Sequence, residues 1–133
     1  MSITFIYAIM LLQDRTRTYQ RGDIMIKIEV RDQDSLPFYL SVKGHAGTDL
    51  TCAGVSAIIQ TAGNILLRGL ETWNKAEWKY LNASGMFTIE FLNREKYQTE
   101  KTMARDWMLN IVAMLYLFAN QHPEEIKWYE VEV

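Results

Sequence analysis

Residues 99–120 are apolar on nearly every side of a helix, and this stretch limits most strongly what the chain can fold into. Met103, Trp107, Ile111, Met114, Leu115 and Phe118 fall on one face at helical spacing. Leu109, Val112, Ala113, Tyr116 and Leu117 make the rest of the helix apolar too. Such a helix has to be covered on more than one side. A sheet and a second helix are the natural covers within the domain. In a chain this small a second subunit is a further one, so a homodimer is expected. Pro123, which cannot continue a helix, marks its end.

The covering elements are legible. Over residues 25–31, Ile26, Ile28 and Val30 alternate with Lys27, Glu29 and Arg31, the pattern of a half-buried strand. Asp32-Gln33-Asp34-Ser35 is turn chemistry, Pro37 sits at the edge of the next run, and residues 38–42 form a second strand. The pair reads as an antiparallel hairpin. Residues 50–72 carry Val55, Ile58, Ile59, Ala62, Leu66 and Leu70 at helical spacing, and Thr48 and Asp49 are cap-type residues just before them. Residues 77–80 and 86–92 are strand-like around the turn Asn82-Ala83-Ser84-Gly85, and residues 126–133 alternate again. The order β-β-α-β-β-α-β with short connections defines an α+β two-layer domain, a mostly antiparallel sheet with two helices packed on it.

The ten apolar residues from Ile3 to Leu12 fall short of the ~20 needed to span a bilayer. They have neither the basic start nor the cleavage site of a signal peptide. A polar, patternless stretch follows. Residues 1–24 are therefore expected to be an extension outside the fold and residues 25–133 a single domain, with an anchor to a membrane or partner as the rival reading. The composition, 49% apolar and 23% charged over 133 residues, suits one globular domain. A net charge of -2 disfavours nonspecific nucleic-acid binding, which needs a basic field, but suits a basic partner. The single cysteine allows no internal disulfide and no multi-cysteine zinc site. A reducing, cytoplasmic setting without cofactor or metal is expected.

A lone cysteine is ordinarily a small core residue. Cys52, however, lies in the first turn of the expected helix, where unpaired N–H groups and the helix dipole favour a thiolate and can hold a developing oxyanion. Ala53 and Gly54 leave room for a substrate backbone. His45, seven residues earlier at a strand end, can reach the helix start to take the thiol proton and return it to a leaving amine. Gly44 and Gly47 flank that corner. Asp49 either caps the helix, the favoured reading of its position, or orients His45. Ser56, one turn beyond Cys52, either touches substrate or bonds to the backbone. His122, beside Pro123, reads as a helix-end or surface residue.

Gly44-His45-Ala46 followed by Asp49-x-x-Cys52-Ala53-Gly54-Val55-Ser56-Ala57 resembles the signature of the bacterial ribosomal-processing cysteine protease (Prp) family, and the likeness runs over essentially residues 25–133. The resemblance implies a homodimeric cytoplasmic endopeptidase that removes a short N-terminal extension from a large-subunit ribosomal protein, L-twenty-seven. It implies Cys52 as nucleophile and His45 as general base and acid, with Asp49 and Ser56 at supporting positions. One departure stands out. Only Gly47 and Thr48 separate Ala46 from Asp49, where the family carries a longer, glycine-containing loop. The alternatives are a noncatalytic ribosome-assembly module with a structural cysteine, and a small-molecule thiol hydrolase.

Overall fold

The computed structural model describes residues 25–71, 73–83, 85–99 and 103–133. The extension expected at residues 1–24 lies outside the described residues. Five strands form one sheet: β1 (Ile26–Gln33), β2 (Leu36–Gly44), β3 (Trp78–Ala83), β4 (Met86–Phe91) and β5 (Ile126–Glu132). The helices are α1 (Asp49–Gly69), a short α2 (Arg94–Thr99) and α3 (Met103–Gln121). The strand order is β3-β4-β2-β1-β5. All neighbours are antiparallel except β1 and β5. The expected α+β layout and element order are therefore observed.

The β1–β2 hairpin turns on two residues, Asp34 and Ser35, both with positive φ (53° and 65°). That is the geometry of a two-residue primed turn, whose twist matches that of the strands it joins. It pairs Gln33 with Leu36, so both strands run further toward the turn than their alternation indicates. The inward residues Ile28, Leu40, Ile89 and Phe91 are wholly buried. The two long helices cover them.

The helices α1 and α3 run antiparallel, and two glycines set how closely they approach. A Cβ on Gly54 would lie 2.2 Å from the Phe118 ring, and one on Gly69 would lie 3.1 Å from the Ala104 backbone nitrogen. Gly54 thus gives its missing side chain to helix packing, not to a substrate backbone as the sequence suggested. Phe118 is buried and its ring lies against His122, centroids 4.5 Å apart, so it cannot simply swing aside. Gly54→Ala is expected to destabilise the protein by about 1–3 kcal/mol, the usual cost of overpacking a filled contact. A urea midpoint equal to that of the parent would show that the ring yields freely.

One correction concerns α3. Its buried residues are Ala104, Met108, Ile111, Leu115, Phe118 and Ala119, so Met103 and Met114, expected on the inner face, point outward. The short helix α2 has no counterpart in the sequence pattern. Tyr97 on α2 is wholly buried, stacks on Phe91 (centroids 4.1 Å) and donates its hydroxyl to the Pro37 carbonyl. Its burial pushes the phenol far above its usual range. Together with Trp73, 5.3 Å from Phe91, it closes the end of the core beyond α1.

Candidate active site

The site forms where β2 ends, α1 begins and the β3–β4 turn folds over. Register brings these together: β2 pairs with β4 so that Lys43 faces Met86, and the Gly44 N–H donates to the Gly85 carbonyl at 3.0 Å. Gly44 leaves the strand at φ +96°, and a Cβ there would strike the Met25 carbonyl at 2.3 Å. Only glycine fits, and the backbone turns there to present His45. The His45 side chain is exposed, and its ring lies against Gly85, the Nε2 being 3.0 Å from where a Gly85 Cβ would sit.

The helix α1 starts one residue earlier than its pattern indicates. Its cap is Thr48, not Asp49: Thr48 has extended backbone and its Oγ1 accepts the Thr51 N–H at 3.4 Å. Asp49 is the first residue inside the helix, where a negative charge suits the positive end of the dipole. Cys52 comes three residues later, and its N–H already donates to the Thr48 carbonyl at 3.3 Å. The N–H groups of Thr51 and Cys52 are thus spent on the helix start and its cap.

The Cys52 sulfur is half-buried. Its hydrogen bonds among the described residues go to Ala46: the Ala46 N–H donates to Sγ at 3.0 Å, and the thiol faces the Ala46 carbonyl at 3.8 Å. Burial pushes the thiol above its ordinary value. The Ala46 N–H opposes that rise, and the charges of Asp49 and Glu125 add to it. This reverses the expectation drawn from the helix start. At the fourth residue of the helix, burial and the two carboxylates outweigh the Ala46 N–H. Alkylation of the substrate-free protein should accordingly be slower at neutral pH than for an exposed cysteine.

Cys52 and His45 nevertheless line one cavity of about 450 Å³. Gly44 and Ser56 line it too, but Asp49 and Ala53 do not. Its floor is apolar, from Ile26, Val42, Val55, Ile59 and Phe87, while Gln60 and Asn82 add polar groups. An apolar floor with a few polar groups and a nucleophile on its wall is suited to seat one or two side chains of an extended peptide. The wall from the β3–β4 turn was not identified from sequence, because only the β2–β4 register places that turn beside His45. No group of metal-ligating side chains occurs among the described residues.

A single thiol and an imidazole on one cavity wall belong to the chemistry of cysteine hydrolases. Residues 25–127 match the family described as cysteine protease Prp. The chain belongs to that family and is a cysteine protease. Among solved structures it resembles the essential ribosomal processing protease Prp from S. aureus with a covalently linked product peptide (20% identity, TM-score 0.60, covering 80% of this chain and 99% of that one). The same S. aureus protein with a substrate peptide matches at 18% identity and TM-score 0.60, with the same coverage. SMU.848 from Streptococcus mutans matches at 16% identity and TM-score 0.58, over 82% of this chain and 96% of that one. At these identities the likenesses establish the fold. No curated protein matches the sequence.

Proposed function

We propose that this protease removes a short N-terminal extension from a large-subunit ribosomal protein, L-twenty-seven, in the cytoplasm during ribosome maturation, with Cys52 as nucleophile and His45 as base and acid. The observation that carries the reading is the shared cavity: the only cysteine and a motif histidine open onto the same peptide-sized space. The substrate peptide bound to the S. aureus protein supports the substrate class.

The chemistry runs as follows. His45 takes the proton from Sγ as the sulfur attacks the scissile carbonyl carbon. The C–N bond then breaks, the amine leaves with the proton from His45, and a thioester remains on Cys52. Water, losing its proton to His45, hydrolyses the thioester and restores the thiol. In the structure the imidazole lies on Gly85 and the thiol on Ala46, so His45 has to turn toward sulfur when peptide binds. Catalytic hydrogen bonds often close only in the complex.

The test is mass spectrometry of the same organism's L-twenty-seven protein incubated with this enzyme. The expected result is a shortened N-terminus. An intact protein after stoichiometric binding would favour the assembly-module reading.

The outer face of α3 supports a homodimer. Among the described residues Met103, Leu109, Met114, Tyr116 and Leu117 stay exposed, Leu117 by 63%. Leu117→Asp is expected to turn a dimer into a monomer in analytical ultracentrifugation, with its circular-dichroism spectrum unchanged. A parent protein that is monomeric at micromolar concentration would refute the dimer.

A further inference from the structure

Glu125, in the turn between α3 and β5, is far from the motif in sequence and lies against it in space. Its Oε2 accepts the hydroxyl of Thr51 and, at 3.2 Å, the hydroxyl of Thr48. Thr51 is wholly buried, so its hydroxyl has no water to turn to. Thr48 Oγ1 is also the helix cap and sits 3.1 Å from Thr51 Oγ1. The other carboxylate oxygen, Oε1, is buried without a hydrogen-bond partner among the described residues, and a Cβ on Gly47 would lie 3.4 Å from it. One carboxylate therefore grips the corner between Ala46 and Thr51 from behind, and that corner carries His45 at one end and Cys52 at the other.

A buried carboxylate oxygen without a partner is costly. Packing alone would be served as well by an apolar or amide side chain. We propose that Glu125 is a positioning residue for this protease: through the two threonine hydroxyls it fixes the short corner that carries His45 at one end and Cys52 at the other. The proposal rests on Cys52 being the nucleophile. The titratable groups around this point are His45 at the end of β2, Asp49 on α1, Glu125 itself, and His122 after α3, whose Nδ1 is 3.5 Å from Thr51 Oγ1. Asp49 and Glu125 act on the sulfur in the same direction. The shortness of the corner gives the grip its use: with only Gly47 and Thr48 between Ala46 and Asp49, a single side chain can hold the whole connection.

Three variants test the proposal. Glu125→Gln keeps an acceptor for both hydroxyls and removes the charge. Its kcat for peptide cleavage is expected to stay within about threefold of the parent, because the two hydrogen bonds that hold the corner survive. A kcat as low as that of Glu125→Ala would overturn the role given to the two hydrogen bonds. Glu125→Ala releases the corner, and kcat for peptide cleavage is expected to fall about tenfold or more with KM little changed. Should that variant fold poorly, Thr51→Val, which deletes one hydroxyl at nearly constant volume, is expected to lower kcat in the same direction. An unchanged kcat in Thr51→Val and in any folded Glu125→Ala would overturn the positioning role. The same comparison read from the acyl-enzyme burst with an activated ester needs no ribosomal peptide, so an incorrect assignment of the ribosomal substrate would leave it standing, and the two failures can be told apart.

Discussion

Cys52→Ala is expected to abolish peptide cleavage, lowering kcat/KM by on the order of 10⁴-fold or more, as removal of a covalent nucleophile does elsewhere. The fold should survive. The side chain is half-buried, and its sulfur takes one backbone N–H, from Ala46. Losing one such bond costs about 1 kcal/mol, a small part of the stability of a domain this size. Circular dichroism of the variant should match that of the parent, with a melting temperature lower by only a few degrees, about 4 °C, while cleavage is absent. A variant that cleaves at the parental rate would show that the thiol is structural. The raised thiol pKa does not argue against catalysis. A general base removes the proton during attack, so the resting enzyme need not hold a thiolate.

The fold was legible because its elements obey their periods. The alternation from Ile26 to Val30 and the helical spacing from Val55 to Leu70 are uninterrupted, and each appears where expected. The boundaries moved for local reasons. Asp34 and Ser35 adopt positive φ and lengthen the hairpin, a conformation that neither residue type signals as glycine would. Arg94–Thr99 is too short to show a helical period, and only the burial of Tyr97 reveals what it anchors.

At the site, Cys52 and His45 were found through their shared motif, and Gly44 and Ser56 line the cavity with them. Three readings of the same stretch differ from the structure for one reason: each treated α1 as standing alone. Gly54 faces α3, Thr48 takes the cap while bonding to Glu125, and burial, with the charges of Asp49 and Glu125, raises the thiol. Local sequence shows what a helix start can do. Tertiary neighbours decide which of its groups remain available.

His45→Ala should lower kcat at neutral pH by about 10²–10⁴-fold, the usual worth of a positioned general base and acid, while KM changes little. A structural loss at this position would look different. The His45 side chain is exposed and leans on Gly85, so its removal leaves no buried cavity and should hardly alter the melting temperature. The pH profile supplies the decisive sign. Without the imidazole, attack depends on thiolate already present, and below the thiol pKa that fraction grows about tenfold per pH unit. The Cys52 pKa lies above its ordinary value. The variant's acylation rate, read from the acyl-enzyme burst with an activated ester, should therefore climb with a slope near one past the range where an ordinary cysteine levels off. The deficit against the parent should narrow over that climb. The burst isolates acylation, so deacylation, which also loses its base, does not mask the trend. A deficit constant from neutral to alkaline pH would mean that His45 orients peptide instead of moving a proton. Parental activity at neutral pH would remove it from the mechanism.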